Sequence, residues 1–294
     1  MIAQFLVNGI ITGSLYALIG VSFGLIYYTV RIFHIAHGAV YTVSAYIFYT
    51  FYRQIGMPIL PSFLIGLIVG TLLGILFEIL IYQPLYKKEA HPGVALISSI
   101  GAYIFVVNLI ALIYGSETKI PYPYIQKTYS LGNIIVTQIQ LIELIVSAII
   151  ILIFALILKY TKLGKLIRAL SDNPSLLESL GTDVLRLRVV IFAIGSFFVG
   201  IASCLNAIDV GIDPNVGMPA LLTGAVSAII GGYGRFIAPA LGGLLLGLLE
   251  NLVVWKFSAR WKPAVVFVIL ILFLLFRPQG ILGIKGRVEE KEGV

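Results

Sequence analysis

Tyr160-Thr-Lys-Leu-Gly-Lys-Leu-Ile-Arg-Ala-Leu-Ser-Asp-Asn-Pro-Ser-Leu-Leu-Glu-Ser-Leu-Gly181 is a polar island in an apolar chain. With its flanks it carries Lys159, Lys162, Lys165, Arg168, Arg186 and Arg188. Its pattern predicts two short helices with a break between them. Asn173 suits the cap of the second helix, Pro174 its first position and Gly181 its stop. Leu176, Leu177 and Leu180 share one face of a helix too short to stand alone in water, so that face wants a partner. Arg168, Asp172 and Glu178 supply polar contacts beside it.

The rest of the sequence explains why such an island matters. Of 294 residues, 60% are hydrophobic and only 11% are charged. An ordinary soluble domain carries about 25% charged residues, so the composition is that of an integral membrane protein. Apolar runs fall at 5–30, 35–52, 59–81, 93–114, 140–159, 189–208, 217–230, 237–254 and 262–276. A full crossing needs about 20 apolar residues, so 217–230 and 262–276 are short enough that one could be re-entrant. The expected fold is an all-α bundle of eight or nine transmembrane helices in a single domain, 1–294.

Charge sets the expected orientation. If 159–188 faces the cytosol, so do 31–34, 83–92, 231–236 and the tail 277–294, and these regions hold 14 of the 20 Lys and Arg residues. The N-terminus and the loop 115–139 then lie outside. The net charge of +7 follows from this bias, and nucleic-acid binding is not implied. Met1-Ile-Ala-Gln4 lacks a basic segment before the first apolar run, so no cleavable signal is expected. Within 115–139, Ile120-Pro-Tyr-Pro-Tyr124 followed by Ile134-Ile-Val136 predicts a small extended or hairpin-like element.

Several function classes lose support because their residues are missing. Neither a Gly-x-x-x-x-Gly-Lys phosphate loop nor a soluble stretch large enough for a nucleotide-binding domain is present. His-Glu-x-x-His is absent too, and Gly-x-Ser-x-Gly occurs as Gly20-Val-Ser-Phe-Gly24 inside the apolar run 5–30 and not at a strand-to-helix turn, which argues against an intramembrane hydrolase. Ion-coupled carriers keep ionisable groups deep in their spans. Here Glu78 is expected near the inner end of its span, where it can reach the interface, and Glu143 and Glu250 near outer ends. Lone Cys204 excludes an internal disulfide. His34 and His37 lie one helical turn apart with no carboxylate nearby, which favours hydrogen-bonding roles over a metal site. No cofactor is expected.

Four segments together resemble the LivH-type permease family of the branched-chain amino acid ABC importers. Phe5-Leu-Val-Asn-Gly-Ile-Ile-Thr-Gly-Ser-Leu-Tyr-Ala-Leu18 leading into Ile32-Phe-His-Ile-Ala-His-Gly38 is similar to the family's opening, with His34 where asparagine is usual and Ile35 where phenylalanine is usual. Arg168–Gly181 resembles its coupling segment. Gly231-Gly-Tyr-Gly-Arg-Phe-Ile-Ala-Pro-Ala-Leu-Gly-Gly243 resembles its glycine-rich turn, with Arg235 and Ala238 as departures. Phe276-Arg-Pro-Gln-Gly-Ile-Leu-Gly283 resembles its tail.

The resemblance implies a type II importer-like permease bundle that works with two ATP-binding cassette ATPase subunits. It also implies a second homologous permease and an extracytoplasmic substrate-binding protein. The coupling residues it points to are Arg168, Asp172, Asn173, Pro174, Leu176, Leu177, Leu180 and Gly181. A weakly polar path for leucine, isoleucine and valine is expected along Ser14, Tyr16, His37, Gly38, Ser98, Ser99, Asn108, Thr223 and Ser227. Helix ends broken near the midplane could present backbone dipoles to a zwitterion there. Urea or short amides are the alternative substrates within the family, and an autonomous channel or ion-coupled carrier is the alternative class.

Overall fold

The computed structural model of the chain describes residues 2–132 and 134–283. Every expected apolar run is helical. The helices are α1 (Ile2–Val30), α2 (His37–Tyr49), α3 (Ile59–Phe77), α4 (Gln83–Lys87), α5 (Pro92–Tyr114), α6 (Gln138–Tyr160), α7 (Lys162–Asp172), α8 (Pro174–Ser179), α9 (Val184–Asp209), α10 (Gly217–Gly231), α11 (Ala238–Lys256) and α12 (Lys262–Phe276). A wide π turn extends α2 through Thr50–Gln54, and another, Glu78–Tyr82, joins α3 to α4. A short 3₁₀ turn, Ala259–Trp261, leads into α12.

Among the described residues, seven helical segments are long and apolar enough to cross a membrane. The two shortfalls are α2, with 13 residues, and α10, with 15. At 1.5 Å per residue, α10 reaches roughly 22 Å, less than the ~30 Å hydrocarbon core. Both begin inside the bundle. The other short run, 262–276, is completed by the 3₁₀ turn into an 18-residue segment.

The core is α1, wrapped by α9, α10 and α11, with α2 and α3 packed beyond α9. Small residues permit this closeness, because lipid tails do not drive helices together. Gly13 lies so near α11 that a Cβ there would stand 3.0 Å from Leu244 Cα. Gly66 does the same against α2, where a Cβ would meet the Ser44 carbonyl at 2.7 Å. By contrast, α5, α6 and α12 turn mostly apolar, exposed faces outward, as lipid-facing helices do.

A hairpin is present in the expected loop, with Ile134–Val136 in its second strand, whereas Ile120–Tyr124 forms no strand. Strands β1 (Thr128–Leu131) and β2 (Ile134–Thr137) pair antiparallel with Ser130 opposite Ile135. The Gln4 side chain extends it from α1, accepting from the Ile135 amide at 2.8 Å and donating to its carbonyl at 2.9 Å. The chain start and the hairpin therefore share one end of the bundle. At the other end, Ser171 of α7 donates to the Tyr28 carbonyl at 2.9 Å and Arg31 donates to the Ser171 carbonyl at 3.2 Å.

Two expectations change. The polar island ends at Asp183, whose carboxylate accepts from the Arg186 amide and caps α9, so 184–188 belong to that helix. Glu78 does not reach the interface. It is fully buried and paired with Arg188 at 2.6 and 3.2 Å, because α9 carries the guanidinium inward against the π turn. Tyr86 covers the Arg188 guanidinium at 4.6 Å. Of the tail 277–294, residues 284–294 lie outside the described residues.

Candidate functional site

The breaks before α2 and α10 define the centre of the molecule. The segment 31–36 turns back beside α1, so that His37 at the start of α2 stands against Ser22. Ser22 donates to the Gly195 carbonyl at 2.5 Å and therefore receives the Nε2 proton of His37 at 2.8 Å. Tyr82 donates to Ser99 at 2.7 Å, so the His34 Nδ1 proton goes to the Tyr82 oxygen, also at 2.7 Å. Ser99 accepts in addition from the Ala36 amide at 2.9 Å. Five polar side chains thus hold the turn rigid within an apolar shell.

The opening of α10 is held from the other side. Lys119 and Ile212 exchange two backbone hydrogen bonds, at 2.7 and 2.9 Å, which tie the hairpin loop to the segment before α10. The two helix starts then meet: a Cβ on Gly38 would lie 2.8 Å from the Gly217 carbonyl oxygen. Two positive helix ends are thereby placed side by side.

Beside that meeting point is a cavity of about 150 Å³. Its polar atoms come from Tyr16 on α1, Tyr41 on α2, Asn206 on α9 and Thr223 on α10. Leu15, Ile19, Val216, Pro219 and Ala220 form its apolar wall. Glu250 of α11 stands near Tyr16, and Asn206 near Tyr41.

Of the expected path residues, Tyr16 and Thr223 line this cavity. Ser227 is one turn below, donating to the Thr223 carbonyl at 2.6 Å. His37, Gly38 and Ser99 form the buried turn beneath α2. Ser14 is buried and bonded to the Ile11 carbonyl at 2.7 Å. Ser98 lines a separate groove between α3 and α5, and Asn108 is on the exposed face of α5, bonded to the Ile104 carbonyl. Tyr41 and Asn206 escaped sequence reasoning because nothing local marks an aromatic or amide inside an apolar helix as cavity-facing.

The residues expected to couple lie at the far end. Asn173 accepts from the Leu176 amide at 3.0 Å and caps α8, with Pro174 in its first turn. Gly181 takes φ +83, the left-handed geometry that ends it. Arg168 donates back to the Leu158 carbonyl at 2.6 Å, and Asp172 closes α7. Leu176 and Leu180 are 58% and 75% exposed, whereas Leu177 is only 5% exposed. The three leucines do not share an outward face: α8 lies on the bundle, and Leu177 is the side chain that seats it.

Two of the other motifs meet nearby. The amides of Ile281 and Leu282 donate to the carbonyls of Ile230 and Gly231 at 2.8 and 2.9 Å, so the tail folds over the glycine-rich turn. Gly232 has φ +102, and a Cβ there would fall 2.5 Å from the Gln279 carbonyl.

A polytopic bundle with broken helices at mid-depth and a short amphipathic element at one end has the architecture of an importer permease. The chain belongs to the family of branched-chain amino acid transport system permease components, which it matches over residues 5–274. It is 31% identical to the high-affinity branched-chain amino acid transport system permease protein BraD of Pseudomonas aeruginosa, across 95% of each chain. It is 28% identical to the LivH permease protein of Escherichia coli K12, again across 95% of each. Its fold also resembles that of PsaBC from Streptococcus pneumoniae, solved in complex with Fab, with a TM-score of 0.53 at 12% identity over 94% of this chain and 93% of that one.

Proposed function

We propose that the chain is the non-catalytic permease subunit of an ABC importer and forms half of a translocation path for leucine, isoleucine and valine. It works with a second homologous permease, two ATPase chains that hydrolyse the ATP, and an extracytoplasmic binding protein. It sits in a prokaryotic cell membrane with its N-terminus outside and its C-terminus in the cytosol. The observation that carries this reading is the small, mostly apolar cavity beside the α2 and α10 starts, which suits an aliphatic side chain. The helix ends at Gly38 and Gly217 favour the carboxylate of a zwitterion. Leu176 and Leu180, bare at the opposite end, suit a groove on an ATPase. Transport needs two arrangements of this bundle, whose populations ATP binding elsewhere shifts.

Vesicles test the reading. The complete assembly should accumulate leucine only with internal ATP and loaded binding protein. The chain alone should hydrolyse no ATP and accumulate nothing on a proton or sodium gradient. Gradient-driven uptake by the isolated chain would replace the subunit reading with an autonomous carrier, and uptake of urea but not leucine would move the substrate to the amides.

A further inference from the structure

Between α3, α6 and α9 the outer surface of the bundle carries an apolar groove of about 440 Å³. Ile153 and Phe197, 50% and 41% exposed, stand at its rim. Phe154 and Phe198, both buried, meet edge to face at 5.1 Å and make its floor. Thr71 is the one polar side chain among the residues that line it, and its hydroxyl is spent on the Leu67 carbonyl at 2.8 Å. The groove offers an occupant no hydrogen bond, so what fits there is hydrocarbon.

A transmembrane helix of another chain suits this groove poorly. Helices in a membrane associate through small residues and polar groups, whereas α6 contains no glycine and gives the groove Ile150, Ile153 and Ile157. A flexible chain can follow such a surface. The same helix faces become basic toward α7. Arg186 precedes Ala193 by seven residues on α9, and Tyr160 follows Ile153 by seven on α6, so each lies two turns, roughly 10 Å, beyond the groove. The Arg186 side chain is 89% exposed and pairs with Asp183 at 2.8 Å, and the Lys159 ammonium lies 5.0 Å from the centre of the Tyr160 ring. Lys162, just beyond, is exposed as well. Three cations against the Asp183 carboxylate leave this end of the groove positive.

We infer that the groove is an anionic-phospholipid site: one acyl chain lies over Phe154 and Phe198, and the head-group phosphate meets Arg186 and Lys159. Basic pockets between transmembrane helices select such head groups, and long cationic side chains can lay their stems on apolar surface while the charge stays at the interface. The site joins α6 to α9, the two helices that bracket the α7–α8 connection, so the bound lipid ties the two stems of that connection together. The inference needs only the bundle's place in a membrane. It is independent of the substrate and of which end faces the cytosol.

The test uses the purified full chain, stripped of lipid in detergent and offered phosphatidylglycerol or phosphatidylcholine with identical acyl chains. Native mass spectrometry counts the lipid that stays bound. One phosphatidylglycerol should be retained at concentrations about tenfold below those that phosphatidylcholine needs. Lys159→Gln with Arg186→Gln changes exposed side chains only, so it should remove that preference and leave folding intact. Ala193→Phe fills the groove and should lose the tightly held lipid whatever its head group, while circular dichroism reports whether the helices persist. If Ala193→Phe does not fold, the variant with both glutamines decides alone. Equal retention of the two lipids by the unmodified chain, an undiminished preference with both glutamines in place, or tight lipid binding by folded Ala193→Phe overturns the site. Cross-linking of Ile153→Cys to another subunit in the assembled importer gives the groove to a protein and overturns it too.

Discussion

Gly38 and Gly217 meet backbone to backbone at the starts of α2 and α10, with Thr42 closing the contact at 3.2 Å from the Gly38 carbonyl and 3.4 Å from that of Pro214. Helices that cross the whole membrane keep their unpaired amides at its surfaces, whereas these two bring theirs to mid-depth. The pairing is possible because neither residue carries a side chain. It places a polar, positively biased spot next to the cavity and leaves the surrounding helices intact.

Gly217→Ala is expected to destabilise this junction. The new methyl would run into the Gly38 carbonyl and would lie 2.6 Å from Thr42 Oγ1. Overpacking of this kind costs about 1–3 kcal/mol, and Thr42→Ala should not restore it, because the main obstacle is backbone. The thermal unfolding midpoint of the solubilised protein checks the stability, and leucine uptake checks the path. An unchanged midpoint would mean that the two helix starts can part freely.

Leu176→Asp and Leu180→Asp should leave folding intact, because both side chains are exposed, and should lower the amount of ATPase that co-purifies. Leu177→Asp should act differently. It buries a charge at a site that is 5% exposed, at a cost on the order of a few kcal/mol, so it should reduce the yield of folded protein. Co-purification and gel-filtration profiles of the three variants separate the effects. Normal ATPase recovery with Leu176→Asp and Leu180→Asp together would remove α8 from the coupling surface.

Glu78 and Arg188 hold the π turn after α3 against the first turns of α9, and both side chains are almost fully buried. Glu78→Gln should cost about 3–5 kcal/mol, because it leaves a buried guanidinium without its counter-charge. The double change Glu78→Leu with Arg188→Met should recover most of that loss. Unfolding midpoints of the single and double variants measure it. If the double variant is as unstable as the single one, the pair's value lies in its hydrogen-bonded geometry and not in charge compensation.

Orientation is best read at Ile125 and Ser175. Ile125 is fully exposed on the loop before the hairpin, and Ser175 is exposed on α8. Ser171, in the same connection, is unsuitable because it is only 6% exposed. Ile125→Cys should react with an impermeant thiol reagent applied outside cells, and Ser175→Cys only after the membrane is opened. The reverse pattern would invert the topology drawn from the basic residues.

The sequence alone was enough for whatever depends on neighbours within a turn or on membrane thickness. All nine apolar runs are helical, Asn173 caps α8, and the Ile134–Val136 run forms one strand of the hairpin. Those outcomes follow from side-chain periodicity, local hydrogen bonds and the lack of water in the bilayer. The tertiary structure alone decided which surfaces face each other. It turned Leu177 inward and buried Glu78 against Arg188, 110 residues away. It also folded the tail onto Gly232 and brought Tyr41 and Asn206 to the same cavity as Tyr16. In a chain where nearly every helix is apolar all round, hydropathy cannot rank one face above another. Backbone contact at glycines and pairing of the few buried polar groups make that choice, and both are set by residues far apart in the chain.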